Sequence, residues 1–120
     1  MIDYKEELKK FKPYFGKVKE LDGVDFYFLR PSDRGSESEF IEELKDNMEG
    51  SEDDQGNLIN FKDYVVVACD GVYVEDGEVV IEQFSDIIVL NKETGILLHS
   101  SEGSHQHTYK TAEELIKVLS

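Results

Sequence analysis

The sequence contains a single cysteine, Cys69, no tryptophan and only two prolines in 120 residues. One cysteine excludes an internal disulfide framework and a multi-cysteine zinc cluster. No apolar run approaches the roughly 18 residues of a membrane-spanning helix. The opening MIDYKEELKK carries charges where a secretory leader has its apolar core, so no leader is expected. Neither a glycine-rich phosphate loop nor a G-x-S-x-G nucleophile elbow occurs. Basic residues are scarce, 13 against 27 acidic. That balance argues against nucleic-acid binding through phosphates, which needs a basic footprint. The remaining expectation is a soluble, cytoplasmic, acidic single domain over 1–120. Its hydrophobic fraction is 39%, and six Tyr and seven Phe supply core volume.

The charge is unevenly placed. Residues 35–86 hold sixteen Asp or Glu against Lys45 and Lys62, which accounts for the whole net charge of −14. Glu37, Glu39, Glu42, Glu43, Asp46, Glu49, Glu52, Asp53 and Asp54 crowd one stretch. Like charges at this density repel one another and cost stability. No requirement of folding asks for them. They read either as a solubilising surface or as a patch that steers a cationic partner.

Residues 3–12 predict a helix: Tyr4, Leu8 and Phe11 form one apolar stripe, Asp3 fits the N-cap, and Pro13 sets the end. Residues 24–30 are aromatic and β-branched, hence a strand with Val24, Phe26 and Phe28 on one side and Tyr27 and Leu29 on the other. Residues 31–37 read as a loop. A second helix is expected over 38–48. Phe40, Ile41, Leu44 and Met48 would face the core, and Glu39, Glu42, Glu43 and Asp46 the solvent. An acidic loop follows at 49–57.

From residue 63 the period changes to two. Strands are expected at 64–69, 72–74, 78–84, 86–90 and 95–100, with Asp70-Gly71 and Asp76-Gly77 as tight turns and 91–95 as a hairpin loop. Residues 101–107 read as a loop. Thr111 and Glu114 make the capping box of a last helix over 112–119. The order predicts an α+β fold, an antiparallel β-meander packed with N-terminal, central and C-terminal helices.

Several residue patterns bear on chemistry. In 52–64, Glu52, Asp54, Gly56 and Asp63 take EF-hand ligand spacing when Ile59 is set at the apolar eighth position. A glycine then stands where an oxygen ligand is needed, and the exit segment is a strand, so calcium is not expected. His105 and His107 would share a strand face with His99 nearby, but further zinc ligands are not identifiable. Cys69 ends an apolar strand beside Asp70, a setting that raises a thiol pKa and suits a structural cysteine. The pairs Asp53–Asp54 and Asp70–Asp76 could serve as acid and base in a cleft. No catalytic residue, metal or cofactor is assigned.

The segment DIIVLNKETGILLHS (86–100), followed by TYKTAEELIKVLS (108–120), resembles the closing part of the SUKH superfamily of bacterial toxin-immunity proteins. There a strand leads to an Asn/Asp-x-x-T-G hairpin, a return strand and a short final helix. Leu90, Thr94, Gly95, Ile96, Leu97, Thr111, Leu115 and Leu119 carry the resemblance. It implies a non-enzymatic immunity protein that neutralises a basic, nuclease-type toxin by tight binding. Its carboxylates would then occupy the toxin surface that meets phosphates. The expected contact residues are Glu39, Glu42, Glu43, Asp46, Glu49, Glu52, Asp53, Asp54, Asp70 and Asp76. Tyr73, Tyr64 and Tyr27 are candidate aromatic anchors. The expected partner is a basic protein, a cognate toxin domain, with no direct nucleic-acid binding and no membrane association. Two alternatives stand beside this reading: an acidic DNA-mimic inhibitor of a nucleic-acid enzyme, and a small enzyme or metal-binding domain using the 49–57 loop.

Overall fold

The computed structural model describes residues 2–34, 50–53, 55–60, 62–82 and 84–119. The helix expected over 38–48, with Glu39, Glu42, Glu43, Asp46 and Glu49, lies outside them, as does Asp54.

The first helix, α1 (Tyr4–Lys9), starts as expected: the Asp3 carboxylate accepts from the Lys5 amide at 3.1 Å. It ends earlier than expected, and a 3₁₀ turn over Lys12–Tyr14 takes in Pro13. Strands β1 (Val18–Leu21), β2 (Val24–Phe28), β3 (Tyr64–Cys69), β6 (Asp86–Asn91), β7 (Leu97–Ser101) and β8 (Ser104–Tyr109) form one six-stranded sheet in that order, with every pairing antiparallel. Strands β4 (Val72–Glu75) and β5 (Glu78–Ile81) form a separate two-stranded sheet. The final helix α2 (Ala112–Leu119) occupies its expected span, and the Thr111 hydroxyl accepts from the Glu114 amide at 3.2 Å. The architecture is α+β with an antiparallel sheet, as the element order predicts.

Two expectations are corrected. Residues 104–109 are a strand rather than a loop, and β1 was not anticipated. Both are edge strands. An edge strand buries little and tolerates charge, so its alternation is faint in sequence. Leu21 and Tyr109 are the buried residues of β1 and β8. Two-residue turns close both edges: Asp22–Gly23 (φ 52° and 80°) and Glu102–Gly103 (φ 50° and 86°). The second correction concerns the meander. β3 pairs with β6, not with β4, so the β4–β5 hairpin leaves the main sheet.

The core lies on both sides of the sheet. Leu8, Phe11, Ala112, Leu115 and Leu119 from the helices pack on Phe26, Phe28, Ile88, Leu90 and Leu97. On the other side Tyr27, Leu29, Cys69, Ile87, Val89 and Leu98 are buried, with Val72 and Val79 of the hairpin packed against them. Asn91 closes the β6–β7 turn, its side-chain oxygen accepting from the amides of Glu93 (2.8 Å) and Thr94 (3.0 Å). Gly95 stands there at φ 78°, a left-handed conformation that favours glycine, and an added Cβ would lie 3.2 Å from Ile2 Cδ1.

After β2 the chain turns through Pro31–Arg34, held by buried Asp33. Its carboxylate accepts from the Tyr27 hydroxyl (2.7 Å), the Arg30 amide (2.8 Å) and the Arg30 guanidinium (3.0 Å). Burial pushes the Asp33 carboxyl up, but the Arg30 and Tyr27 donors outweigh it and hold the pKa below its ordinary value. Burial and the same carboxylate hold the Tyr27 phenol high. A depressed carboxyl contributes stability that is complete above its unfolded pKa and is lost as pH falls through the folded one. Asp33→Asn should therefore cost about 2 kcal/mol at neutral pH. The difference from the parent protein should shrink as pH drops below about 4. Urea unfolding at the two pH values measures this; a gap of constant size would contradict it.

Candidate functional site

Register places the polar residues of the sheet at one end. Asp86 pairs with Ser101, Cys69 with Ile87 and Leu21 with Val24. The Asp22–Gly23 turn, the Asp70 corner, Asp86 and the Glu102–Gly103 turn therefore share that end. The segment 51–59 joins it through the Glu52 amide, which donates to the Gly103 carbonyl at 2.9 Å. The opposite end carries the Asn91–Gly95 turn and the start of α1, whose Ile2 amide reaches the Glu93 carbonyl. Lysines gather there: Lys5, Lys9, Lys10 and Lys12 on or after α1, Lys62, and Lys92, whose Nζ lies 5.5 Å from the centroid of the Tyr4 ring.

The hairpin adds a second acidic surface. Tyr73 pairs with Val80 and Glu75 with Glu78, so these four share a face. Val72, Val74 and Val79 occupy the other, and Val72 and Val79 turn to the core. Tyr73 is 45% exposed, and Glu75, Asp76, Glu78 and Glu82 are all exposed. The hairpin tip is held from below by Arg30 Nη2, which donates to the Gly77 carbonyl at 3.1 Å.

The expected contact residues divide by what their carboxylates do. Glu52 and Asp76 are exposed. Asp53 is half-buried, and its Oδ1 accepts from the amides of Gln55 and Asn57, both at 2.9 Å. Among the described residues of 51–59, backbone bonds and the Glu52–Leu58 bridge close the segment. Asp70 is used inside the fold. Its Oδ1 accepts from the amides of Ser85 (2.8 Å) and Asp86 (3.0 Å), and its Oδ2 from the Ser85 hydroxyl (2.6 Å). Asp70, half-buried, thus has a structural use within the fold. Of the candidate anchors, Tyr27 is buried, Tyr64 half-buried and Tyr73 exposed.

Sequence reading missed a polar constellation next to Asp70. Asp86 is 5% exposed, and His99 3%. Asp86 Oδ2 meets His99 Nε2 at 2.7 Å, while its Oδ1 accepts from the hydroxyls of Ser85 (2.9 Å) and Ser101 (3.1 Å). The His99 ring stands edge-on to Phe26, and its Nδ1 is buried without a hydrogen-bond partner. Asp22, Val24, Asp86, His99, Ser101, Gln106 and His107 enclose a cavity of about 410 Å³. A signal was present: the Asn91–Gly95 turn fixes the β6–β7 register. It puts Asp86, His99 and Ser101 on the face where Ile88, Leu90 and Leu97 are core. The histidine pair is split by a bulge in the β7–β8 register, with His107 opposite His99 and His105 opposite Ser100. His105 instead meets the Thr108 hydroxyl at 2.8 Å.

A carboxylate–imidazole pair is two-thirds of a nucleophilic triad. Here the nearby hydroxyls serve other groups: Ser101 donates to Asp86, and Ser100 to the Ser104 carbonyl. Cys69 is fully buried, and burial first, then Asp70 and Asp33, drive its thiol pKa up. Among the described residues no group of three or more His, Cys, Asp or Glu is placed to hold a metal ion. Nor is any helix long and apolar enough to cross a membrane. The geometry collects charge and hydrogen-bonding groups around space, without a poised nucleophile.

No family model, curated protein or solved structure matches this chain.

The two uses of carboxylate separate by mutation. Asp70→Ala strands the amides of Ser85 and Asp86 and should lower the unfolding free energy by about 2 kcal/mol. Glu82→Ala, on the exposed side, should change it by less than about 0.5 kcal/mol. Denaturant titration of both variants checks the distinction.

Proposed function

We propose that this chain is a non-enzymatic binding protein whose acidic end and hairpin face dock a cationic protein. One observation carries the reading. Exposed Glu52, Glu75, Asp76, Glu78, Glu82 and Glu102 form no ion pair with a lysine or arginine among the described residues. The ion pairs of the lysines lie elsewhere, joining Lys9 to Glu6 and Lys10 to Glu7 and Glu113. Among the described residues these six carboxylates thus stand apart from the lysine and arginine ion pairs and are open to an external partner.

Tyr73 gives this surface its anchor. An exposed aromatic ring beside Val80, rimmed by Glu75 and Glu78, has the make-up of an interface hot spot: an amphipathic centre with charges around it. The carboxylates would set the rate of encounter and its salt dependence, and the ring the lifetime of the complex. The stretch 35–49 belongs to the proposal through its charge alone, with Glu39, Glu42, Glu43, Asp46 and Glu49.

The biological role we favour is neutralisation of a basic toxin domain in the cytoplasm, on the strength of the C-terminal resemblance to the SUKH superfamily. The Asn91–Gly95 turn between β6 and β7, and the helix 112–119 that follows β8, fit that resemblance. The test is co-expression with the product of the neighbouring open reading frame, then capture at low and high salt. Tyr73→Ala should weaken the complex at least about thirtyfold, chiefly through faster dissociation. Reversing Glu75, Glu78 and Glu82 to lysine should slow association and flatten its salt dependence. An association rate unmoved by the triple reversal would remove this surface from the account.

A further inference from the structure

The cavity at the acidic end has a composition that the docking surface does not explain. Asp22 and Asp86 line it, together with His99, His107, Ser101, Gln106 and Val24. Among the described residues no lysine or arginine lines it. Behind its wall stands a third carboxylate, Asp70, joined to Asp86 through Ser85. The Ser85 hydroxyl lies 2.6 Å from Asp70 Oδ2 and 2.9 Å from Asp86 Oδ1, yet a hydroxyl has one hydrogen to donate. Two carboxylates therefore share one proton donor, and among the described residues no lysine or arginine forms an ion pair with the buried Asp86. His99 also brings a buried ring nitrogen, Nδ1, without a partner. A cavity lined by two carboxylates, with no lysine or arginine among the described residues that line it, favours a cation.

The volume, about 410 Å³, lies within the range of small-ligand pockets, roughly 300–1,000 Å³. The polar groups come from four places around the opening: the β1–β2 turn, β6, β7 and β8. Their acceptors are the two carboxylates, the Gln106 amide oxygen and the Ser101 hydroxyl. A set of acceptors spread around a rim suits a flat cation with several N–H donors better than a compact one. A metal ion fits poorly, because no three ligating side chains converge among the described residues.

We propose that this cavity is a receptor for a guanidinium group. The guanidinium enters between Asp22 and His107 and donates to the Asp22 and Asp86 carboxylates. Gln106 and Ser101 take the remaining donors. The inference does not depend on the docking of a cationic protein, since it concerns the free chain. A guanidinium could come from a small free cation or from an arginine of a protein partner; both present the same chemistry.

The test is an NMR titration of the full chain with methylguanidinium, methylammonium and the neutral isostere N-methylurea, read at the His99 and His107 ring resonances. Methylguanidinium should shift both saturably, with a dissociation constant on the order of 1 mM, and the other two should bind at least about tenfold more weakly. Asp86→Asn risks the fold, so the decisive variant is Asp22→Asn. Asp22 sits at φ 52°, a conformation asparagine accepts, so the variant should melt like the parent. Its methylguanidinium affinity should fall about fivefold. A blocked arginine peptide that binds more tightly than methylguanidinium identifies a partner's side chain as the source. Free agmatine binding more tightly than the peptide identifies a small cation. Absence of a saturable shift, equal binding of N-methylurea or methylammonium, or an affinity unchanged in Asp22→Asn would overturn the proposal.

Discussion

Asp70 governs how the rest of this molecule is arranged. Its carboxylate takes the amides of Ser85 and Asp86 together with the Ser85 hydroxyl, so the start of β6 is fastened to the end of β3. Everything between residues 70 and 85 must then form an excursion. That excursion is the β4–β5 hairpin, which covers Cys69, Ile87 and Val89 with Val72 and Val79 and turns Tyr73 and its carboxylates outward. The same fastening sets Asp86 in place to meet His99 and to wall the cavity. One half-buried carboxylate thereby positions both an acidic surface and a polar cavity.

Parts of this were readable in the residues because local chemistry and tertiary need agreed. The helix 112–119 has its capping box, its apolar stripe and no competing pattern, and its span is as expected. Strands 64–69 and 86–90 are apolar runs bounded by turn residues, and they proved to be central strands, buried on both faces. What escaped is equally physical. β1 and β8 are edges, so one buried residue each suffices and the alternation is nearly silent. The pairing of β3 with β6 depends on a side chain bonding backbone fifteen residues away, which no periodicity records. The Asp86–His99 pair required register as well as strand identity, because it is formed by diagonal neighbours on adjacent strands. Asp70 was read as surface charge because sequence shows the number of carboxylates and not their occupation.

The separation of charge has an energetic consequence. Glu75 and Glu78 stand directly opposite each other on the hairpin. At the roughly 5 Å of a cross-strand pair, two like charges in water repel by about 0.8 kcal/mol. Repeated over an acidic surface without its own cations, such repulsion weighs against a folding free energy of only about 5–15 kcal/mol. Under the proposed function, binding an external cation would relieve this repulsion as it forms the contact.

That claim is tested most directly by the salt dependence of stability, without any partner. Urea unfolding should be followed from low ionic strength to about 0.15 M sodium chloride, where the screening length is about 8 Å. If the carboxylates repel one another uncompensated, added salt screens them and the unfolding free energy rises. If the chain's own lysines and arginines neutralise them, salt weakens attraction instead, and a fall or a flat response would contradict the account.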